Sequence, residues 1–239
     1  MNVVILMAGS DRQFKEQGYK YPRPLIEIND KPIVQHIVEN IQPILDYADR
    51  VIFIVKKDDI NKYYLDKTIG ILAPGSCVVG IENDTAGAAC TALLAIEKIE
   101  ESSSLLILNG DQIIDENLLG IVHNFKKLKV DGGVIVFKSV HPRWSYVSRD
   151  KNGFVNEAAE KNPISNYATA GFYYYKTAAD FIVYAKRMIL KDSDVNGSFY
   201  VCPVYNEMIL DQKKIFSKEI DIKKYHSFMT PEGIDSFKN

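Results

Sequence analysis

Along the first half of the chain, short all-apolar runs alternate with segments whose apolar residues recur every three or four positions. Val3, Val4, Ile5, Leu6 and Met7 form one such run, closed by Gly9. A strand buried on both faces of a parallel sheet shows this pattern. After Pro32, Ile33, Val34, Ile37, Val38 and Ile41 fall on one helical face, with Gln35, Glu39 and Asn40 opposite. A helix with proline at its start is therefore predicted. The same reading gives strands at 51–55, 77–81, 105–108 and 134–137, and helices at 58–65, 88–99 and 116–127. This order predicts an α/β fold: a three-layer sheet with parallel strands.

The second half changes pattern. Tyr146-Val147-Ser148 and Phe154-Val155-Asn156 flank the polar turn Asp150-Lys151-Asn152-Gly153, which signals a hairpin. An aromatic-rich strand is predicted at 169–175 and helices at 178–190 and 204–210. No repeat, linker or low-complexity tract intervenes. Residues 1–239 read as one domain, with the hairpin and later elements as a small subdomain completing a pocket.

Composition narrows the function classes. The chain has 239 residues, 46% hydrophobic and 25% charged, which excludes disordered, collagen-like and coiled-coil proteins. No apolar run approaches the roughly 20 residues of a membrane span, so no membrane partner is expected. The first apolar run follows no basic region, so no secretory signal is expected. Lys+Arg total 29 against Asp+Glu 31, a net charge of -2, and nucleic acid is not an expected partner. Cys77, Cys90 and Cys202 lie in apolar runs without metal-ligand spacing; reduced thiols and a cytoplasmic location are expected. The four histidines are scattered and suggest no zinc site. Oligomeric state is left open, a homo-oligomer included.

In open α/β sheets, ligands bind beyond the carboxyl ends of the strands. After the first strand come Ala8, Gly9, Ser10 and Asp11, with Arg12, Lys15, Lys20 and Arg23 close by. Glycine lets the backbone turn tightly and approach an anion, so the loop suits phosphate; it suits a plain turn with solvated basic residues as well. After the third strand comes Glu82-Asn83-Asp84-Thr85-Ala86-Gly87-Ala88-Ala89. Small side chains there admit a flat ring near the backbone, or simply close helix–sheet packing. After the fourth strand come Asn109, Gly110 and Asp111. The carboxylate sits at the ligand edge, where it suits Mg²⁺ with phosphates completing the shell; a turn or helix-capping aspartate is the plainer alternative. Neither GxGxxG nor GxxxxGK[ST] is present.

Taken in order, these segments resemble the sugar-phosphate nucleotidyltransferase family (NDP-sugar pyrophosphorylase-like), which implies a three-layer, Rossmann-like (GT-A-like), mixed but mostly parallel sheet. The resemblance is carried by the Ala8-Gly9 loop with Tyr21-Pro22-Arg23-Pro24-Leu25, residues 85–92, and Asn109-Gly110-Asp111. It continues through Ala159-Glu160-Lys161-Asn162-Pro163, then Ala168-Thr169-Ala170-Gly171-Phe172-Tyr173, and Thr230-Pro231-Glu232. More narrowly, it is similar to the family's bacterial capsule and surface-polysaccharide branch.

The resemblance implies a Mg²⁺-dependent enzyme that transfers a nucleotidyl group from a nucleoside triphosphate to a phosphorylated small-molecule acceptor. The nucleotide-binding part would be about 1–138 and the acceptor-binding part about 139–239. Ala8, Gly9, Ser10 and Asp11 would hold the triphosphate, with Gly110 also on the nucleotide side, Gly87 and Ala88 would lie against the base, and Asp111 would bind the metal. Arg12 and Arg23 would supply cations to the phosphates. Asn109, Glu160, Thr169, Gly171 and Tyr200 would line the acceptor site, with Lys161 on the acceptor phosphate.

The chain also departs from the family pattern. Asp11 stands where the loop's second glycine is usual, Arg12 where a hydroxyl residue is, and Gln13 where an arginine is. Arg23 replaces a lysine, and Ser227 occupies the place of a second metal aspartate. Two other readings stay open: a nucleotide-sugar-dependent glycosyltransferase, and a nucleotide-binding domain without catalysis.

Overall fold

The apolar runs of the first half are the parallel strands of the sheet. The computed structural model describes residues 1–238. In chain order the sheet strands are β1 (Asn2–Leu6), β2 (Arg50–Lys56), β3 (Cys77–Ile81), β4 (Leu105–Asn109), β5 (Gly132–Lys138), β6 (Ser145–Arg149), β7 (Val155–Glu160), β8 (Tyr167–Tyr175) and β9 (Ile215–Glu219). The order across the sheet is β3-β2-β1-β4-β8-β5-β9, and β6 and β7 leave it from the first part of β8. β1 is parallel to β2 and β4, and β9 to β5. β8 runs antiparallel to β4, β5 and β6. One reversed strand in the centre makes the sheet mixed but mostly parallel, as predicted.

The helices are α1 (Arg12–Glu16), α2 (Ile33–Tyr47), α3 (Lys57–Tyr63), α4 (Leu65–Leu72), α5 (Ala88–Leu93), α6 (Leu118–Lys127), α7 (Ala178–Leu190), α8 (Val204–Leu210) and α9 (Pro231–Lys238). Alternation along β1 divides the core into two layers. Val3 and Ile5 join the apolar stripe of α2 and Phe125 of α6, while Val4 joins Ala89 and Ala92 of α5 and the buried faces of α7 and α8. Each Ile or Val fully buried on α2 contributes about 1.5–3 kcal/mol relative to exposure, and this stripe, more than helix propensity, fixes α2 on the sheet.

Several expected boundaries shift. The helix at 58–65 is two helices, because Tyr64 adopts φ +55° and turns the chain. Regular helix from Ala88 stops at Leu93, and Ile96–Lys98 continues as a tighter 3-10 turn. Its apolar positions still face the core: Ala92, Ala95 and Ile99 are buried. The predicted hairpin is β6–β7. Asp150 closes its turn by accepting from the N–H groups of Asn152 and Phe154, both at 2.9 Å. Short strands Gln112–Ile114 and Tyr225–Ser227 pair apart from the main sheet.

Candidate active site

Register brings distant residues together. Leu6 lies opposite Asn109, and Leu108 opposite Phe172. The loop after β1, the Asn109-Gly110-Asp111 turn after β4, and Thr169 to Gly171 of β8 therefore meet at one edge. Gly110 N–H donates to Leu6 O at 2.8 Å, and a side chain at 110 would collide with Met7 and the Leu6 carbonyl. Gly171 has φ +58°, and a Cβ there would overlap Asn109 Nδ2. Both glycines are thus required for close approach at this edge.

Arg23 fills the space over the first loop. It leaves a 3-10 turn, Arg23–Leu25, and is 7% exposed. Its Nη1 donates to Asp111 Oδ2 at 2.9 Å, and its Nε lies 3.9 Å from Asp11 Oδ1. A Cβ at Gly9 would overlap its Nη2, so the guanidinium lies against bare backbone. Asp59, near the start of α3, is buried beside this group. Burial first, and then the charge of Asp11, push its carboxyl up to about 6. Two carboxylates, Asp11 and Asp111, thus face one guanidinium, and Asp59 lies buried within reach of the Asp11 charge, with Lys56 and Lys15 on its other sides.

The residues expected at an acceptor lie on β6, β7 and β8. Glu160 ends β7, is buried, and accepts from Ser145 Oγ. Burial raises its pKa above the usual carboxylate range. Thr169 and Tyr173 share a hydrogen bond of 2.9 Å beneath it. Lys161 follows with φ +53°; its N–H donates to Trp144 O at 3.0 Å and its Nζ to Tyr200 Oη at 2.7 Å. The preceding residue, Phe199, donates to Ala86 O at 2.7 Å and accepts from Ala89 N–H at 3.0 Å. The Phe199 backbone occupies the space a Cβ at Gly87 would need, so close packing accounts for glycine there. Ala88 opens α5 beside it.

A cavity of about 260 Å³ lies between Trp144 and Ser227, walled by Phe137 and Tyr225, with Arg143 and His226 also lining it. Phe228, next to Ser227, donates its N–H to Asp111 O at 2.7 Å, and Trp144 accepts from Lys161. The cavity is therefore flanked by both ends of the site.

The structure thus gathers Gly9, Asp11, Arg23 and Asp111 directly, and links Lys161 through Tyr200 to the 86–89 segment. It does not bring Arg12 in. That side chain is 83% exposed and pairs with Glu16 at 2.7 Å, while Ser10 Oγ only accepts from the Arg12 N–H at 3.3 Å. Sequence reasoning missed Gln112, which donates to Ala170 O and accepts from Tyr225 Oη at 3.2 Å, along with Ser145, Tyr173 and Asp59. Position after a strand could have flagged Asp59, as it flagged Asp111; no local signal marked the others.

Among the described residues no group of three His, Cys, Asp or Glu side chains could hold a metal ion. Asp111 nevertheless fits a hard cation such as Mg²⁺, which takes one or two protein carboxylates and completes its shell with water and phosphate. The guanidinium already stands in as a cation on that carboxylate.

The family model for nucleotidyl transferase matches residues 2–213. The chain belongs to the nucleotidyl transferase family. Bifunctional protein GlmU of Methanocaldococcus jannaschii is 32% identical over 178 residues, 72% of this chain and 39% of that protein, so the chain spans about two fifths of that relative's length. UTP–glucose-1-phosphate uridylyltransferase AglF of Haloferax volcanii is 25% identical over 188 residues, covering 74% of this chain and 73% of that protein. A solved nucleoside-diphosphate-sugar pyrophosphorylase from Vibrio cholerae superposes with a TM-score of 0.84 at 21% identity, over 100% of this chain and 99% of that one. This likeness shows that the chain has the Rossmann-like fold. Among the described residues, no helix is long and apolar enough to cross a membrane.

Proposed function

We propose that this nucleotidyl transferase moves a nucleotidyl group from a nucleoside triphosphate to a phosphorylated sugar or similar small phosphorylated acceptor and releases pyrophosphate. The observation that carries the reading is the meeting of the bare Gly9 loop, Arg23 and Asp111 at one sheet edge, with Glu160 and Lys161 across it. The names of its relatives agree with this class of reaction.

No protein nucleophile is needed. An acceptor phosphate oxygen attacks the α-phosphorus, the bond between the α-phosphorus and its bridging oxygen breaks, and pyrophosphate leaves. The second pKa of a phosphomonoester is near 6, so the attacking group is already anionic at neutral pH. The task left to the chain is to hold mutually repelling anions in line. Arg23 meets the triphosphate with a planar fork of donors. Lys161 brings a point charge to the acceptor phosphate, and Glu160 accepts hydrogen bonds from hydroxyls of the acceptor body. The cavity between Trp144 and Ser227 gives that body room. Mg²⁺ held by Asp111 would neutralise phosphate charge. Arg12 would contribute only after leaving Glu16.

We assign the reaction to the cytoplasm, with free thiols at Cys77, Cys90 and Cys202, and to surface-polysaccharide precursor synthesis on the motif resemblance. The test is pyrophosphate release on mixing each of the four triphosphates and Mg²⁺ with a panel of sugar phosphates. One pair is expected to turn over, and Asp111→Ala to lower that rate by about 100-fold or more, the scale on which a lost electrostatic contact to a transition state is felt. Ser227, in place of a second metal aspartate, favours a second reading, nucleotide binding without turnover; thermal stabilisation by a triphosphate with no pyrophosphate from any pair would support it.

A further inference from the structure

Asp11 and Arg23 are two separate departures from the family's motifs in sequence, yet in space they form one feature. Arg23 lies between Asp11 and Asp111: its Nη1 donates to Asp111 Oδ2 at 2.9 Å, and its Nε is within ion-pair range, 3.9 Å, of Asp11 Oδ1. A lysine ammonium, a compact point charge, has no such fork with which to engage two separated carboxylates. Gly9 supplies the flat floor, since any side chain there would displace the guanidinium. The arginine is itself 7% exposed and Asp11 6%, so the pairing is shielded from water and from screening salt. In the free protein, the charge that neutralises Asp111 belongs to the chain.

A divalent cation and this guanidinium cannot share the Asp111 carboxylate at close range, because like charges a few ångströms apart repel strongly in a poorly solvated site. A polyphosphate offers Arg23 a better partner than two carboxylates do, with more charge and paired oxygens. We propose that Arg23 holds the cation seat on Asp111 until nucleotide arrives, and that the phosphates draw Arg23 away and so open the seat to the metal. The proposal rests on the nucleotidyl-transfer reading of the site. It makes metal affinity low in the free protein and places the metal after, or together with, the nucleotide. Asp11 is then the anchor that keeps Arg23 on station.

The test is Mn²⁺ binding to the full chain without nucleotide, followed by the loss of the free-ion electron paramagnetic resonance signal. Wild type is expected to bind weakly. Arg23→Gln is expected to bind Mn²⁺ about tenfold tighter or better, because the competing charge is gone. Adding Asp111→Asn to Arg23→Gln is expected to abolish the gain. Should Arg23→Gln fail to fold with two acids left facing each other, Arg23→Lys keeps a balancing charge but loses the fork that reaches both carboxylates, and a severalfold tightening is expected. Unchanged or weaker Mn²⁺ binding in the folded variant overturns the proposal, as does a gain that survives Asp111→Asn. A gain in Mn²⁺ affinity with no pyrophosphate release from any substrate pair would leave this proposal standing and remove the catalytic one.

Discussion

Lys161 holds a backbone conformation that costs a non-glycine residue about 1–2 kcal/mol, at φ +53°. It is kept there by the Trp144 carbonyl on its N–H and by Tyr200 on its ammonium. Strain retained beside a proposed phosphate contact separates stability from function. Lys161→Gly relieves the strain and Lys161→Ala does not, so the glycine variant is expected to unfold at higher urea than the alanine variant, by up to about 1 kcal/mol. Both are expected to lose use of the phosphorylated acceptor while keeping nucleotide-induced stabilisation. If Lys161→Ala lost nucleotide binding as severely as acceptor use, its assignment to the acceptor phosphate would be wrong. Asp59 gives a pH signature. Its carboxyl lies at about 6 in the folded chain against 3.8 for the ordinary group. The folded state therefore binds this proton more tightly than the unfolded state does. Its contribution to stability falls as pH rises from about 4 to 6 and stays at the lower level above. Asp59→Asn is expected to remove that fall and to stabilise the protein at pH 7.5 by on the order of 1–3 kcal/mol. Urea denaturation of both proteins across pH 4–8 checks this; an equal slope in both would clear Asp59 of the effect.

Docking of α6 on the sheet depends on a bare backbone patch. A Cβ at Gly133 of β5 would lie 2.5 Å from Cδ2 of Phe125, a ring of α6 that is fully buried and has nowhere to move. Gly133→Ala is expected to cost roughly 1–3 kcal/mol by overpacking. Gly70 of α4 makes the contrast, since nothing lies within 4 Å of its added Cβ. Gly70→Ala is expected to stabilise by about 0.5–1 kcal/mol through helix propensity; denaturant midpoints of the two variants should move in opposite directions. Elements that bury a continuous or periodic apolar face, such as β1, β4 and α2, were legible in the sequence for that reason. Elements held by other forces were not. β9 reads Ile-Phe-Ser-Lys-Glu, and its inward Ser217 is satisfied by donating to Gly153 O at 2.9 Å, a partner 64 residues away. The polar α1 has one buried residue, Phe14, and no periodicity to reveal it. The site divides the same way. Gly9, Gly110 and Asp111 were readable because they follow strands, whereas the Gln112–Tyr225 contact comes only from the pairing of two three-residue strands.

At the scale of the molecule, the proposed nucleotide side and the proposed acceptor side are joined by a strap. Phe199 clasps Ala86 and Ala89 through its backbone, and Tyr200 reaches Lys161 through its hydroxyl. A base bound near the 86–89 segment and a phosphate bound by Lys161 are thus connected by two consecutive residues. Tyr200→Phe removes the hydroxyl alone and leaves the backbone clasp in place. Lys161 is exposed, so its ammonium can turn to water and global stability is expected to change by less than about 1 kcal/mol. The ammonium, no longer held, must be ordered by the acceptor itself. KM for the acceptor is then expected to rise about three- to tenfold, the cost of ordering a long, flexible side chain on binding, while the nucleotide-induced shift in Tm stays at the wild-type value. Phe199→Pro acts on the other half of the strap: it removes the N–H that meets Ala86 O, and it is expected to weaken nucleotide and acceptor together. Steady-state kinetics against acceptor concentration and thermal shifts with nucleotide separate the two variants. If Tyr200→Phe weakened nucleotide and acceptor equally, the hydroxyl would be part of the clasp, and the strap would act as one rigid piece instead of two separable contacts, one to the base and one to the acceptor phosphate.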